Sequence, residues 1–383
     1  MTQYDVIVVG LGGMGSATLF HLARRGLRVL GLERYDLLHE YGSSHGLTRI
    51  IRLAYWEHPG YVALLRRSYQ LWRELERLSG ERLLHITGSI DGGPVNGPVF
   101  TGALRSSEQH GLPHEVMDGA ELNQRFPGYR LPNEIQCLYQ PEGGFLLPER
   151  CNLAHVNAAL AAGAQVRYRE PVVAWGVSEG HCWVRTTRER YQAGRLVIAA
   201  GPWASKLMPE LAGLAVPERQ VLAWLQPIRP ERFTPEVFPV FYIELEEGRY
   251  YGFPSFLVPG FKFGRYHHRR EQVDPDHMNR EPDQEDERLL RAFAERYFPD
   301  AAGPTLMLKT CLFTNSPDEH FILDRHPNHS EVTLAAGFSG HGYKFCSVVG
   351  EIMADLAEKG ETRHDIGFLG LKRFTAAANA QRP

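Results

Sequence analysis

The start of the chain contains the pattern that most limits what it can fold into. Residues 6–9 form a continuous apolar run, typical of a parallel strand that is buried on both faces. A glycine-rich turn at 10–15 follows directly, and residues 16–25 have the apolar spacing of a helix. Residues 28–33 then form a second apolar strand that ends in an acid. Strand, helix and strand in this order predict a right-handed β-α-β unit.

The glycines of this unit follow the spacing G-x-G-x-x-G. In such a turn the first glycine permits a tight bend, the second lets a pyrophosphate approach the backbone, and the third lets the helix pack closely. The helix N-terminus offers free N–H groups to phosphates, and an acid about 20 residues on can accept hydrogen bonds from a ribose. The pattern predicts a dinucleotide site, either NAD or FAD. Its candidate contacts are Gly10, Gly12, Gly13, Met14, Gly15, Glu33 and Arg34.

The rest of the chain alternates between two kinds of sequence pattern. A pattern typical of a parallel sheet returns around residues 195–203 and 331–358, and helices are expected at 61–78, 148–162, 286–297 and 346–358. A pattern typical of short strands and turns occupies residues 83–145, and strands rich in aromatic residues dominate a second segment at about 221–312. We therefore predict an α/β (mixed α+β) fold in which a Rossmann-type domain is interleaved with a β-rich substrate domain. The predicted ranges are 1–82, 146–218 and 313–373 for the first domain, and 83–145 and 219–312 for the second.

Composition excludes several classes of protein. With 42 Lys and Arg against 45 Asp and Glu, the net charge of −3 gives no basic excess to attract nucleic acid or an anionic membrane. No apolar run approaches the roughly 20 residues that a membrane-spanning helix needs. The five cysteines are scattered and form no CxxC pair, which predicts a reduced compartment without a structural zinc site. We expect a cytoplasmic protein that binds no metal.

Three further blocks carry a specific resemblance. They are G-S-S-H-G-L-T-R-I-I-R at 42–52, C-L-F-T at 311–314 and A-G-F-S-G-H-G-Y-K-F at 336–345. Together, and in this order, they resemble the monomeric sarcosine oxidase and N-methyltryptophan oxidase family of the D-amino-acid-oxidase-like flavoproteins. The similarity covers essentially the whole chain. It implies FAD as the cofactor, a secondary amine as the substrate, dioxygen as the acceptor, and a monomer.

The resemblance also implies which residues hold the flavin. Cys311 matches the cysteine that is bonded to the flavin through a thioether, so we expect covalent FAD. His45 and Arg49 match residues that lie against the flavin ring, and Val172 is a weaker match to a residue near the adenine. The remaining matched cofactor contacts are Ser43, Ser44, Gly201, Trp203, Gly340, His341, Gly342 and Lys344.

The resemblance implies a catalytic set as well. Lys262 matches the lysine that activates dioxygen, where a fixed ammonium stabilises the superoxide charge as it develops. Arg52 and Lys344 are the candidates for holding a substrate carboxylate. Tyr251 matches a pocket tyrosine. Equal spacing places Tyr266 at a family histidine, with His267 next to it as the alternative.

Two departures from the family bear on the substrate. Leu47 stands where an acid is common, and Phe313 replaces a tyrosine near the flavin-bearing cysteine. Both make the predicted cavity less polar and favour a larger or more apolar N-substituent than the methyl of sarcosine. The preferred prediction remains oxidative demethylation of sarcosine or another N-methyl amino acid. The alternatives are oxidation of N-methyltryptophan, pipecolate, proline or a glycated amino acid, and an NAD-dependent dehydrogenase.

Overall fold

The structure is a computed structural model that describes residues 3–374. Strands and helices alternate at the start of the chain, as the sequence predicts. The strands are β1 (Tyr4–Val9), β2 (Val29–Leu32), β3 (Arg49–Ile51), β4 (Leu84–Ile86), β5 (Ser89–Gly93), β6 (Glu115–Asp118), β7 (Gln136–Gln140), β8 (Gly144–Leu146), β9 (Gln165–Arg167), β10 (Val172–Ser178), β11 (His181–Thr186), β12 (Arg190–Ile198), β13 (Val216–Leu225), β14 (Val240–Leu245), β15 (Gly248–Phe253), β16 (Phe261–Arg265), β17 (Thr305–Asn315), β18 (Ile322–Arg325) and β19 (Val332–Ala336).

The α-helices are α1 (Gly13–Ala23), α2 (Tyr61–Ser79), α3 (Pro98–His110), α4 (Gly119–Arg125), α5 (Pro148–Ala161), α6 (Ala204–Leu207), α7 (Gln284–Tyr297) and α8 (Cys346–Lys359). The five predicted helices are present with small shifts at their ends, and α3, α4 and the short α6 were not predicted. Helix α1 begins within the glycine turn rather than after it. Within residues 3–374, no helix is both long enough and apolar enough to cross a membrane.

The first sheet contains the glycine fingerprint. Strand β1 lies in its centre and pairs in parallel with β2 and β12, while β19 pairs in parallel with β12. Helices α5 and α8 pack against α1. The N-terminus of α1 lies in the glycine turn that follows the end of β1. Because the carboxyl ends of these parallel strands meet at one edge, the segments that follow them meet there too.

The second sheet runs β17-β13-β16-β15-β14-β5-β7-β6 and is mostly antiparallel. An aromatic core that includes Phe238, Phe241, Phe261 and Phe298 packs against it together with helix α7. A small third sheet, β3-β8-β4, contains the Arg49–Ile51 strand. The strands of the second sheet fall almost entirely within 83–145 and 219–312, although β13 and β17 extend a few residues beyond the second range. The domain boundaries themselves stay a prediction.

One local prediction was wrong. Residues 83–145 contain helices α3 and α4 besides strands. Helix α4 begins with a capping box between Asp118 and Glu121. The charged segment from Tyr266 to Glu271 is partly buried, since Tyr266 and His268 lie in the interior. The ring of His268 forms a hydrogen bond with the Asp286 carboxylate at 3.0 Å.

Candidate active site

One cavity of about 460 Å³ runs between the first and second sheets. It extends from the glycine turn and Glu33 at one end, which we call the nucleotide end, to Cys311 and Lys344 at the other, which we call the ring end. Most of the predicted site residues line it. They are Gly10, Gly12, Gly13, Met14, Glu33, Arg34, Ser43, Ser44, Arg49, Arg52, Val172, Gly201, Trp203, Tyr251, Tyr266, Cys311, Gly340, His341, Gly342 and Lys344.

At the nucleotide end, two of the glycines are needed because a side chain at their positions would clash with the backbone. Gly10 has φ +87°, and a Cβ there would stand 2.5 Å from the carbonyl oxygen of Ala199. A Cβ at Gly15 would stand 1.7 Å from the oxygen of Gly10, so this glycine supports the turn from behind without lining the cavity. At Gly12, only the Ser44 hydroxyl lies near the missing Cβ, at 3.3 Å. The turn therefore leaves its second glycine open to the cavity.

Glu33 is held by main-chain donors. Leu11 N–H donates to one carboxylate oxygen at 2.8 Å, and Tyr35 N–H donates to the other at 3.0 Å. The carboxylate therefore sits at the edge of the cavity in a fixed orientation, with lone pairs left for a ribose. Arg34 extends beside it, with its guanidinium 5.4 Å from the centre of the Trp203 ring and 2.8 Å from Asp276.

At the ring end, Cys311 lies on β17, opposite Gln220 of β13. The Arg49 guanidinium donates to its Sγ at 3.5 Å and also to the carbonyl oxygens of Ser43 and Thr48. The structure therefore places a thiol and a cation together at this end.

His45 lies behind this cation rather than in the cavity wall. Burial, followed by the charge of Arg49, lowers the pKa of His45 to about 3, so the ring is neutral. Neither of its ring nitrogens has a hydrogen-bond partner among residues 3–374. An orphaned buried imidazole is costly, which indicates that a polar group absent from the protein itself completes this site.

Lys262 also lies outside the wall, on β16 beneath the loop that contains His45. Its ammonium donates to the carbonyl oxygens of Gly46 and Thr48 and to the Thr48 hydroxyl, at 2.6, 2.7 and 2.9 Å. Its Nζ also lies 4.2 Å from the centre of the Phe253 ring. Burial lowers the pKa of Lys262 well below its usual value, whereas three acceptors match the three donors of the charged form.

Beyond the cysteine, Arg52 is buried among charges that the sequence did not reveal. Its Nη2 lies 3.2 Å from Glu57, and its Nε lies 2.8 Å from Asp91. Burial opposes its charge, but the two carboxylates outweigh that effect and raise its pKa. The ammonium of Lys344 donates to the carbonyl oxygen of His341 at 2.7 Å, and burial followed by repulsion from Arg52 lowers its pKa to about 7.

Aromatic side chains close this end of the cavity. Tyr242, Tyr251, Tyr266 and Phe313 all line it, and the Tyr266 hydroxyl donates to the carbonyl oxygen of Ser339. His267, the alternative to Tyr266, instead lies outside the wall. Its two nitrogens face Glu218 at 2.8 Å and Glu319 at 3.0 Å. Burial opposes a proton on this ring, but hydrogen bonds to both carboxylates raise the pKa to about 9.

Sequence reasoning missed Glu57, Asp91 and Tyr242. Asp91 left one signal, since it is a charged residue in a strand whose neighbours are small or apolar. Glu57 and Tyr242 lie in no recognisable pattern. Leu47, expected to shape the substrate site, is not in the cavity wall and packs with Leu222 and Cys311.

These residues fit FAD. The nucleotide end offers an open glycine turn, a helix N-terminus and an oriented carboxylate, which suit a pyrophosphate and a ribose. The ring end offers the Cys311 thiol and the basic side chains of Arg49 and Lys344. The backbone of Gly340 has φ +74°, and a Cβ there would stand 2.4 Å from the Phe313 ring. Glycine therefore keeps the loop close to the cavity.

Comparison with known proteins agrees with this geometry. Residues 5–356 match the family model described as FAD dependent oxidoreductase. The chain is 42% identical to a monomeric sarcosine oxidase of Streptomyces avermitilis, over 98% of each chain. It is 32% identical to an N-methyl-L-tryptophan oxidase of Yersinia pestis, over 97% of this chain and 100% of that one.

A solved structure of NikD, an unusual amino acid oxidase essential for nikkomycin biosynthesis, superposes with a TM-score of 0.83 at 27% identity. The alignment covers 96% of this chain and 97% of NikD. The family resemblance, the mixed α/β fold and the assignment as a flavin-dependent enzyme are thus confirmed. The chain belongs to the FAD dependent oxidoreductase family, among relatives that include sarcosine oxidases and N-methyl-L-tryptophan oxidases.

Proposed function

We propose that this protein is an oxidase of secondary amino acids, with sarcosine or another N-methyl amino acid as the first choice. The products are a primary amino acid, formaldehyde and hydrogen peroxide. One observation carries the proposal: two buried cations, Arg52 and Lys344, line the same cavity as Cys311 and the glycine turn. A carboxylate held by such cations places the neighbouring amine at the ring end.

Arg52 and Lys344 bind the substrate carboxylate and orient the molecule. A guanidinium can bind a carboxylate through two parallel hydrogen bonds, which fixes direction as well as charge. The aromatic side chains of Tyr251, Tyr266 and Phe313 surround the amine and exclude water. FAD, when bound, supplies the two-electron oxidation of the carbon next to nitrogen and the reduction of dioxygen.

Around the flavin site, Cys311 is the proposed point of covalent attachment. The Arg49 guanidinium 3.5 Å from its Sγ supports this role, because this contact holds the sulfur in the cavity wall. Lys262 presents positive charge where dioxygen is reduced. We propose the two interleaved domains with the boundaries given above, a monomer, and a cytoplasmic location.

The test is anaerobic mixing of the purified holoenzyme with sarcosine while flavin absorbance is followed. We expect the yellow colour to bleach, and to return on addition of air with one equivalent of hydrogen peroxide. Glycine, which lacks the N-methyl group, is the matched control and should bleach the flavin far more slowly. A flavin that stays oxidised with every secondary amine contradicts the proposal.

A second candidate is a larger N-substituted amino acid. It is favoured by the wall of Tyr242, Tyr266 and Phe313, which is apolar enough to accept an aromatic or cyclic substituent. The measurement is kcat/KM for sarcosine, N-methyl-L-tryptophan and pipecolate in one assay. A ratio above 1 for either larger substrate relative to sarcosine makes that substrate class the preferred one.

A further inference from the structure

Asp91 occupies an unusual place for an acid. It lies on β5 inside the second sheet, with Tyr242 opposite it on β14 and Leu138 opposite it on β7. Its exposed fraction is 0%. Its Oδ1 forms an ion pair with Arg52 Nε at 2.8 Å. Within residues 3–374, Oδ2 of Asp91 has no hydrogen-bond partner.

When Lys344 is protonated, the charges around Asp91 balance before any substrate binds. Arg52 and Lys344 then supply two positive charges, while Glu57 and Asp91 supply two negative ones. Tyr55 lies beneath both cations, with its ring centre 4.9 Å from the Arg52 guanidinium and 5.1 Å from the Lys344 ammonium. On the neighbouring strands, Tyr242 of β14 lies on the same face of the sheet as Asp91. Cys137 of β7 lies on the opposite face, next to Gly92.

A substrate carboxylate disturbs this balance. It adds a third negative charge to a cluster that contains two positive ones, in a place that water barely reaches. An uncompensated buried charge is costly, and a proton on one acid removes the cost. Asp91 is the acid best placed to accept it. Both carboxylate oxygens of Glu57 accept from Arg52, at 3.2 and 3.4 Å, whereas Asp91 contacts Arg52 through Oδ1 alone and its Oδ2 is free to take a proton.

We propose that Asp91 takes up one proton when a carboxylate binds to Arg52 and Lys344, which makes it a positioning and specificity residue of the substrate site. The step converts a carboxylate and a proton into a neutral carboxylic acid, and no other bond changes. It deepens the proposed function and rests on it. Burial, opposed by Arg52, raises the pKa of Asp91 to about 7, in agreement with this role.

The consequence is a preference for substrates that bring a single carboxylate. One proton on Asp91 compensates one added charge, so a dicarboxylic amine leaves a buried charge unmatched. Once protonated, Asp91 no longer attracts Arg52 as a full charge, and the guanidinium becomes available to the substrate. Asp91 thus acts through Arg52 rather than on the reacting atoms.

Methoxyacetate is a suitable probe, because it has the shape of sarcosine but no amine. Any proton that accompanies its binding must come from water. Infrared difference spectra of the holoenzyme, with and without methoxyacetate at pH 8, should show a new C=O band of a protonated carboxylic acid. Labelling with ¹³C-aspartate should shift that band. A difference spectrum without such a band, or a band that the label leaves in place, overturns the proposal.

The affinity for methoxyacetate gives a second test. Its Kd, read from flavin absorbance, should rise about tenfold per unit between pH 7 and 9, because one proton is taken up. The Asp91→Asn variant should remove this slope. Glu134→Gln, an acid-to-amide change on the surface, is the matched control. If Asp91→Asn keeps the full slope, Lys344 is the titrating group and the proposal is wrong.

The two tests do not depend on turnover. A holoenzyme that bleaches with sarcosine but shows no Asp91 protonation refutes this inference alone. A holoenzyme that bleaches with no secondary amine refutes the proposed function, whatever Asp91 does. If Asp91→Asn does not fold, the isotope-labelled wild-type measurement still decides the question.

Discussion

The two ends of the cavity hold their carboxylates by different kinds of interaction. At the nucleotide end, the Glu33 carboxylate accepts hydrogen bonds from the main-chain N–H groups of Leu11 and Tyr35. At the ring end, the Glu57 and Asp91 carboxylates are paired with the charged side chain of Arg52. Main-chain interactions need only a backbone path and hold a ligand in place. Buried charges respond to a reaction, so the chemistry is concentrated where the charges are.

The largest expected effect tests the covalent link at the ring end. Cys311→Ser removes the only atom at that position that can form a thioether, so essentially all flavin should become extractable. The measurement is the yellow colour of the pellet after acid precipitation. Cys346→Ser is the matched control, since Cys346 also lines the cavity. Colour retained in the Cys311→Ser pellet, or lost from the Cys346→Ser pellet, contradicts the assignment.

Lys262→Met separates the two half-reactions. Loss of a fixed charge beside a developing anion should slow flavin reoxidation by roughly 100- to 1000-fold. Anaerobic reduction by substrate should change much less, because dioxygen takes no part in that step. Stopped-flow absorbance measures both steps, and Lys309→Met serves as a surface control. Equal slowing of both steps would show a general structural role instead.

Glu33→Gln tests the nucleotide end. The amide has one acceptor oxygen instead of two. Its NH₂ group would face the main-chain N–H of either Leu11 or Tyr35, so two donors would meet. Losing a charged hydrogen bond costs about 1.5–3 kcal/mol, so FAD affinity should fall about 10- to 100-fold. Titration of FAD into the Cys311→Ser background measures this directly. Once the Glu33→Gln variant is saturated with FAD, the rate of flavin reduction should change little, because Glu33 lies at the nucleotide end and not where the substrate reacts.

In one respect the two ends should behave alike. Neutral buried histidines occur at the ring end and in the helical layer behind the nucleotide end. Burial, with the charge of Lys344, lowers the pKa of His341 to about 3, and burial with the charge of His21 does the same for His155. As the pH falls below 6.5, these two histidines therefore bind protons in the unfolded chain before they do so in the folded protein. Their contribution to the free energy of unfolding is fully present above that pH and is lost progressively below it.

The expected loss is up to about 1.4 kcal/mol per pH unit for each histidine. Urea unfolding at pH 7.5 and 5.5 measures it. His155→Leu should reduce the difference between the two pH values, since its ring packs between Phe20 and Trp72 and can be replaced by an apolar side chain. His277→Leu, on the surface, should leave the difference unchanged. An identical pH dependence in His155→Leu and wild type rejects this account.

The nucleotide end could be predicted because it depends on local sequence. Gly10, Gly15 and Glu33 belong to one β-α-β unit, and their spacing follows from its geometry. The ring end could be predicted only where a family resemblance supplied the residues. Asp91 and Tyr242 are brought together by parallel pairing of β5 with β14, strands that are far apart in the chain. No local pattern encodes that pairing, and the same holds for Arg52 and Asp91.

The anchoring of Lys262 has a consequence for the solution conditions under which the protein works. Its ammonium is bound by oxygens of Gly46 and Thr48 rather than by a carboxylate. These dipoles fix the position of the charge without cancelling it. Since the group is only 2% exposed, dissolved ions cannot gather around it. Reaction with dioxygen should therefore proceed at nearly the same rate in dilute buffer and in concentrated salt.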